Sequence, residues 1–265
     1  MELFPFDPQH ILSFLLTLVR ISLIVFLLPF FGGSTLPKTV KAALCLVLTL
    51  GLWPALSFSG AELPASPWNL LIIVLGELVL GLVLGLVVRI VFAAVQTAGH
   101  IIGFQMGFAM MNVVDPMTGA TVTLTSQLLY LVSLLLFLSL NGHLYLLRGL
   151  TQSFELVPPG SLLLVPAVTD KVLAFSSQIF VLGIKIAAPV MAAEIMVTLS
   201  LGVVAKIAPQ VNVLFVGFPL KIAIGFLFLG LLFMLLSEYL QEFIGRMGWI
   251  FHDIMQSAVP PANLL

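Results

Sequence analysis

The residues with which this chain could do chemistry are few. Its 265 residues include four histidines (His10, His100, His143 and His252), one cysteine and eleven acidic side chains. A zinc site needs histidine, cysteine or carboxylate ligands at characteristic spacings. No histidine here stands at such a spacing from another histidine or from Cys45. Asp115, Ser126 and His143 can be written down as an acid, nucleophile and base, but Ser126 lacks the glycine-flanked elbow that exposes a nucleophilic serine. No glycine-rich loop has the spacing that cradles phosphate. No catalytic residue, metal or cofactor is expected, and His143 reads as a capping or interhelical hydrogen-bonding residue.

The informative polar residues are instead charges inside apolar runs. Arg20, Glu77, Arg89, Lys185 and Glu194 all lie within stretches apolar enough to cross a bilayer. Such groups cost several kcal/mol against lipid and face a bundle interior or water. Glu77 and Arg89 are separated by roughly 18 Å of helical rise. Lys185 and Glu194 are separated by roughly 14 Å and lie on opposite helix faces. Neither pair can close within its own helix, so each charge needs a partner on another helix, on another chain or in water. Arg20 with Glu77 is one internal pairing; an assembly with intersubunit pairs or an aqueous path is the other reading. Lys206 and Lys221 flank a short turn, "APQVNV", that also carries Gln210 and Asn212.

A second irregularity is "QMGFAMMNVVDPMTG", residues 105–119. It has four methionines, two glycines and an Asp-Pro pair between long apolar runs. Unbranched methionine side chains adapt to irregular partners. The segment is either a deformable seal or a gap-filler, with Met106 and Met110 one helical turn apart. Gly81 and Gly85 form a small-xxx-small surface that permits close helix approach, within the chain or between chains. Pro189 interrupts the fifth run, as a kink or as a break lining a cavity.

These features must be positioned by membrane helices. The chain is 61% hydrophobic and 8% charged, with a mean hydropathy of +1.23, against about a quarter charged in soluble domains. The net charge of −1 supplies no field for nucleic acid. A spanning helix needs about 20 apolar residues, and six runs qualify: 11–31, 42–58, 70–94, 128–147, 172–201 and 218–240. The acidic start, Glu2 and Asp7, is unlike a cleavable signal, so the first run is expected to stay. Lys38, Lys41, Lys206 and Lys221 oppose Glu2, Asp7 and Glu62, which sets the N-terminus outside the cytoplasm by the positive-inside rule; Arg148 and Lys171 disagree.

Four pieces together resemble the FliR family of flagellar biosynthesis proteins, export-gate subunits of type III secretion. They are "RISLIVFLLPFFGGSTLPKTVKAAL", with Arg20, Pro29, Pro37 and Lys41; "GFQMGFAMMNVVDP"; "NGHLYLLRGLTQSFELVPPG"; and "APQVNVLFVGFPLKI". The resemblance covers essentially the whole chain. It implies an all-α membrane protein, its roughly six segments folded as tilted, kinked hairpins within a hetero-oligomeric helical assembly. Residues 1–265 form one export-gate domain, with N-terminal helices and the plug loop in 1–160. Residues 161–265 resemble the two-helix partner FliQ.

The resemblance also implies a non-enzymatic role in protein export, with FliP-like, FliQ-like and FlhB-like partners, membrane lipid and unfolded flagellar proteins as cargo. No nucleic acid is implied. The location implied is the inner membrane, in the flagellar basal body, partly displaced toward the periplasm. Met106, Phe108, Met110, Met111, Asn112, Val113, Val114, Asp115 and Pro116 fall on the family's pore plug. Gln210 and Asn212 fall on a turn at the cytoplasmic entrance. Arg20, Glu77, Arg89, Lys185, Glu194, Lys206 and Lys221 become buried or intersubunit charges. The alternatives are the equivalent subunit of a virulence injectisome and a six-helix secondary transporter with Lys185, Pro189 and Glu194 at its site.

Overall fold

The computed structural model describes residues 8–29, 31, 36–55, 66–108, 123–158, 166–210 and 212–258. Among them every regular element is helical: α1 (Pro8–Leu27), α2 (Lys38–Leu52) running into a 3-10 turn (Trp53–Ala55), α3 (Pro67–Gln105), α4 (Leu124–Ser139), α5 (Gly142–Leu156), α6 (Pro166–Ile207) and α7 (Val213–Ala258).

Local chemistry explains the ends. Three helices, α1, α3 and α6, open on a proline, at Pro8, Pro67 and Pro166. There its missing N–H is no loss and its φ is already helical. Ser66 caps α3 through its carbonyl, which accepts from Asn69 N at 3.1 Å. Thr123 caps α4, its hydroxyl accepting from Ser126 N at 3.3 Å. Pro29 and Pro54 stop α1 and α2 soon after their last full turns.

Among the described residues four helices are long and apolar enough to cross a membrane: Gln9–Leu27, Pro67–Gln105, Val168–Ile207 and Val213–Ser257. The count rises to five if the bent pair α4 and α5 forms one span. This corrects the expectation of six. The run 42–58 is cut short by Pro54, and the 15 residues of α2 rise only about 22 Å, against about 30 Å of hydrocarbon. The run 128–147 bends by 68° between α4 and α5. Asn141 there takes the left-handed conformation, φ 58°, which asparagine tolerates better than most residues.

Three of the other four expected runs, 70–94, 172–201 and 218–240, lie inside helices that continue beyond them. α3, α6 and α7 contain 39, 42 and 46 residues, or roughly 58–69 Å, about twice the hydrocarbon thickness. Pro189 lies within α6, which stays a single helix through it; the hydrogen bond lost is the one to the Lys185 carbonyl. In the most apolar window of α7 only 22% of residues are buried, so most of its apolar surface faces outward.

Packing divides the chain into two compact units that do not follow chain order. The first comprises Met1–Arg89, Asn141–Ser176 and Ile244–Leu265; the second comprises Ile90–Leu140 and Ser177–Phe243. In the first, Leu16, Ile21, Leu84, Leu150 and Met247 are almost wholly buried. Gly81 and Gly85 settle against α1: a Cβ added to either would stand 2.9 Å from Leu23 Cβ or 2.7 Å from Leu27 Cβ. The small-residue surface therefore serves packing within this chain. In the second unit, Phe92 meets Phe137 edge-on at 5.6 Å, beside the buried Leu129.

Candidate functional site

Two places carry the sequence-predicted residues, one in each unit. In the first unit Arg20, on α1, is fully buried, and Glu77, on α3, is 1% exposed. Arg20 Nε donates to Glu77 Oε2 at 2.5 Å and Nη2 to Oε1 at 2.9 Å, a bidentate pair. Nη2 also donates to the Val157 carbonyl at 3.0 Å. Nη1 donates to the Ser153 carbonyl at 2.9 Å and to Ser153 Oγ at 3.3 Å. The Phe154 ring lies 4.2 Å from the guanidinium carbon.

A guanidinium has five N–H donors, and each has a contact here. The two carbonyls belong to the C-terminal end of α5, where the helix dipole favours a cation. Only arginine matches a carboxylate fork and a helix end together. The cluster ties α1, α3 and α5 and has no donor left for another chain. Among the described residues the two expected intrahelical mismatches, Glu77 with Arg89 and Lys185 with Glu194, form no ion pair.

The other charges differ. Arg89, Lys185 and Lys206 are exposed. Glu194 is fully buried, yet neither carboxyl oxygen has a hydrogen-bond partner among the described residues. Lys221, across the hairpin on α7, is half-buried and interacts with Glu194 electrostatically without pairing to it. Reading the sequence missed the exposed pair of Lys171 with Asp253, at 2.7 Å. Residues 82 apart in the chain carry no spacing signal that they will meet.

In the second unit the end of α3 is locked in place. Met106 is fully buried, and its side chain lies so close over Gly225 that an added Cβ would stand 2.6–2.8 Å from Cγ, Sδ and Cε. Gly107 then turns the chain with φ +88°, where a side chain would be strained and would meet the Phe218 ring at 3.0 Å. Phe108 closes the turn through its N–H, which donates to the Gly103 carbonyl at 3.0 Å. Its ring meets Phe226 edge-on at 6.4 Å. Met106 therefore takes the gap-filling role. Met110, Met111, Asn112, Val113, Val114, Asp115 and Pro116 lie outside the described residues.

Next to this turn is a cavity of about 840 Å³, lined among others by Phe104, Gln105, Leu201, Asn212, Phe218 and Lys221. It lies where the end of α3, the end of α6 and the start of α7 meet. Asn212 and Gln210 are exposed, and Asn212 caps α7 by accepting from Phe215 N at 3.3 Å. Among the described residues no three histidine, cysteine or acidic side chains gather as a metal site. Ser126 Oγ and His143 Nδ1 are buried without a hydrogen-bond partner among those residues.

Comparison with known proteins agrees over most of the chain. A model of the family described as "Bacterial export proteins, family 1" matches residues 11–247. The chain is 35% identical to the flagellar biosynthetic protein FliR of Bacillus subtilis (strain 168) over 225 residues, 82% of this chain and 84% of the relative. It is 30% identical to the FliR of Aquifex aeolicus (strain VF5) over 260 residues, 96% and 98% of the two chains. The FliR of Escherichia coli (strain K12) is 29% identical over 241 residues, 90% of each.

Proposed function

From the premise that this chain belongs to the FliR family of bacterial export proteins, we propose that it is a non-enzymatic subunit of the flagellar type III export gate. It assembles in the inner membrane with FliP-like and FliQ-like subunits, and the turn bearing Gln210 and Asn212 faces the cytoplasmic entrance, where an FlhB-like protein wraps the gate. Unfolded flagellar proteins pass through the assembly. The observation that carries this reading is the match across residues 11–247 to an export family. The long apolar helices, α7 among them, support the membrane location.

The finer proposal concerns the pore. Residues 110–116 form a compliant plug, with Met106 and Phe108 as its root in the fold. A plug must move while its root does not. The close fit of Met106 on Gly225 and the turn at Gly107 supply a fixed root. Residues 161–265 act as a built-in FliQ-like hairpin. The exposed Arg89, Lys185 and Lys206 meet partner subunits, while Glu194 is a buried charge within the chain.

Two measurements test this. Tagged chain is expected to co-purify with two other small hydrophobic proteins as a fixed heteromer; a well-behaved monomer from the native membrane would sink the assembly role. Deleting residues 110–116 is expected to make the membrane leak ions or small solutes. A membrane that stays tight while secretion proceeds normally refutes the plug and leaves the assembly role standing.

A further inference from the structure

The cavity beside the α6–α7 turn has a chemical character that the export role does not use. Its walls are apolar, from Phe104, Leu201, Leu214 and Phe218. Its polar lining includes Asn212 and Lys221. Asn212 Oδ1 is occupied as the cap of α7, so its amide nitrogen is the group left to donate. Lys221 carries three donors and no acceptor, and it forms no ion pair among the described residues. Glu194 acts on it only at a distance, with neither carboxyl oxygen hydrogen-bonded.

The position matters as much as the lining. Two membrane-length helices, α6 and α7, end or begin here, and so does α3. Helices this long run past the hydrocarbon, so their ends stand at or beyond the headgroup layer. The cavity also contains Gly202, where an added Cβ would meet nothing within 4 Å. The missing side chain keeps that part of the cavity open, and no neighbour fills it.

Donors at one end and hydrocarbon walls along the rest call for an occupant with both characters. A free phosphate would satisfy the donors but leave the apolar walls wetted. An apolar peptide segment would cover the walls but bring no acceptor to the three donors of the half-buried Lys221. We infer that this cavity seats an anionic phospholipid, with Lys221 and Asn212 holding the headgroup phosphate and Gly202 leaving room for the acyl chain. One lysine near an anionic headgroup contributes about fivefold in affinity.

The test uses the full chain together with the membrane proteins that co-purify with it, reconstituted in vesicles of phosphatidylethanolamine and phosphatidylglycerol. Trp53, Trp68 and Trp249 are replaced by phenylalanine, and Leu214→Trp on the cavity wall becomes the reporter. The same assembly without the reporter gives the background. Brominated phosphatidylglycerol is expected to quench the reporter about fivefold more effectively than brominated phosphatidylethanolamine at equal mole fraction. Lys221→Gln removes that preference and Lys221→Arg keeps it. Gly202→Leu fills the open space and weakens quenching by both lipids. Equal quenching by the two lipids, or a preference that survives Lys221→Gln, overturns the inference. So does protection from both lipids, the result if a protein segment occupies the cavity. Should Gly202→Leu fail to fold, the pair of Lys221 variants still decides.

Discussion

The two units treat a buried charge in opposite ways. In the first, Glu77 meets Arg20 through two hydrogen bonds, and the guanidinium is completed by the carbonyls of Ser153 and Val157. In the second, Glu194 is as deeply buried, yet has no hydrogen-bond donor on either oxygen among the described residues. Both carboxyls sit in apolar helices where desolvation is costly. The first unit satisfies its carboxylate within the chain and so is built to be complete. The second holds its acid without a hydrogen bond among the described residues, with the Lys221 charge acting on it from across the hairpin.

The comparison breaks most readily at Arg20. Arg20→Ala strands Glu77 and the two carbonyls, and is expected to cost about 3–5 kcal/mol. Arg20→Lys should recover little of this, because three donors cannot meet five contacts. Exchanging Arg20 and Glu77 is expected to fail as well, because the α5 carbonyls would then face a carboxylate. Thermal melting followed by size-exclusion chromatography in detergent reads all three. Recovery in the exchanged double variant would show that the carboxylate is the only partner that matters.

Next in size is Met106→Ala, which empties the seat over Gly225 and is expected to cost roughly 3 kcal/mol. If this residue belongs to the root, its loss lowers the melting point. A normal melting point with altered leak would assign it to the moving part. Glu194→Gln sharpens the contrast directly: with no hydrogen bond to lose, it changes the stability of the chain by less than about 1 kcal/mol. A loss matching that of Glu77→Gln would erase the distinction between the units. The smallest effect is expected at Asp253→Asn. Its pair with Lys171 is partly exposed, and pairs open to solvent contribute about 0–1 kcal/mol; a larger shift in melting would mean that the pair is part of a wider network.

Much of this architecture was legible in the chain because the membrane simplifies the reading. A charge in an apolar run is conspicuous, so Arg20, Glu77 and Glu194 stand out at once, and Arg20 with Glu77 could be written as one candidate pair. The carbonyls of Ser153 and Val157 could not, since a backbone acceptor has no residue type. The bend at Asn141 had a visible signal in its Asn-Gly pair, but hydropathy averaged over a span runs straight through it. The seat for Met106 was hidden because Gly225 sits in "IAIGFLF", where a glycine in a membrane helix is unremarkable. The cavity joins three helix ends that are remote in the chain, and no periodicity reports such a meeting.

The Arg20 cluster also sets a schedule for biosynthesis. Glu77 lies 57 residues after Arg20 and Val157 lies 137 after it. At about 5–20 residues per second, the arginine waits roughly 3–11 s for its carboxylate and roughly 7–27 s for its last carbonyl. During that interval the nascent first helix carries an incompletely matched cation. Whatever shelters it, the insertion machinery or a subunit already in the membrane, must hold on until α5 has emerged.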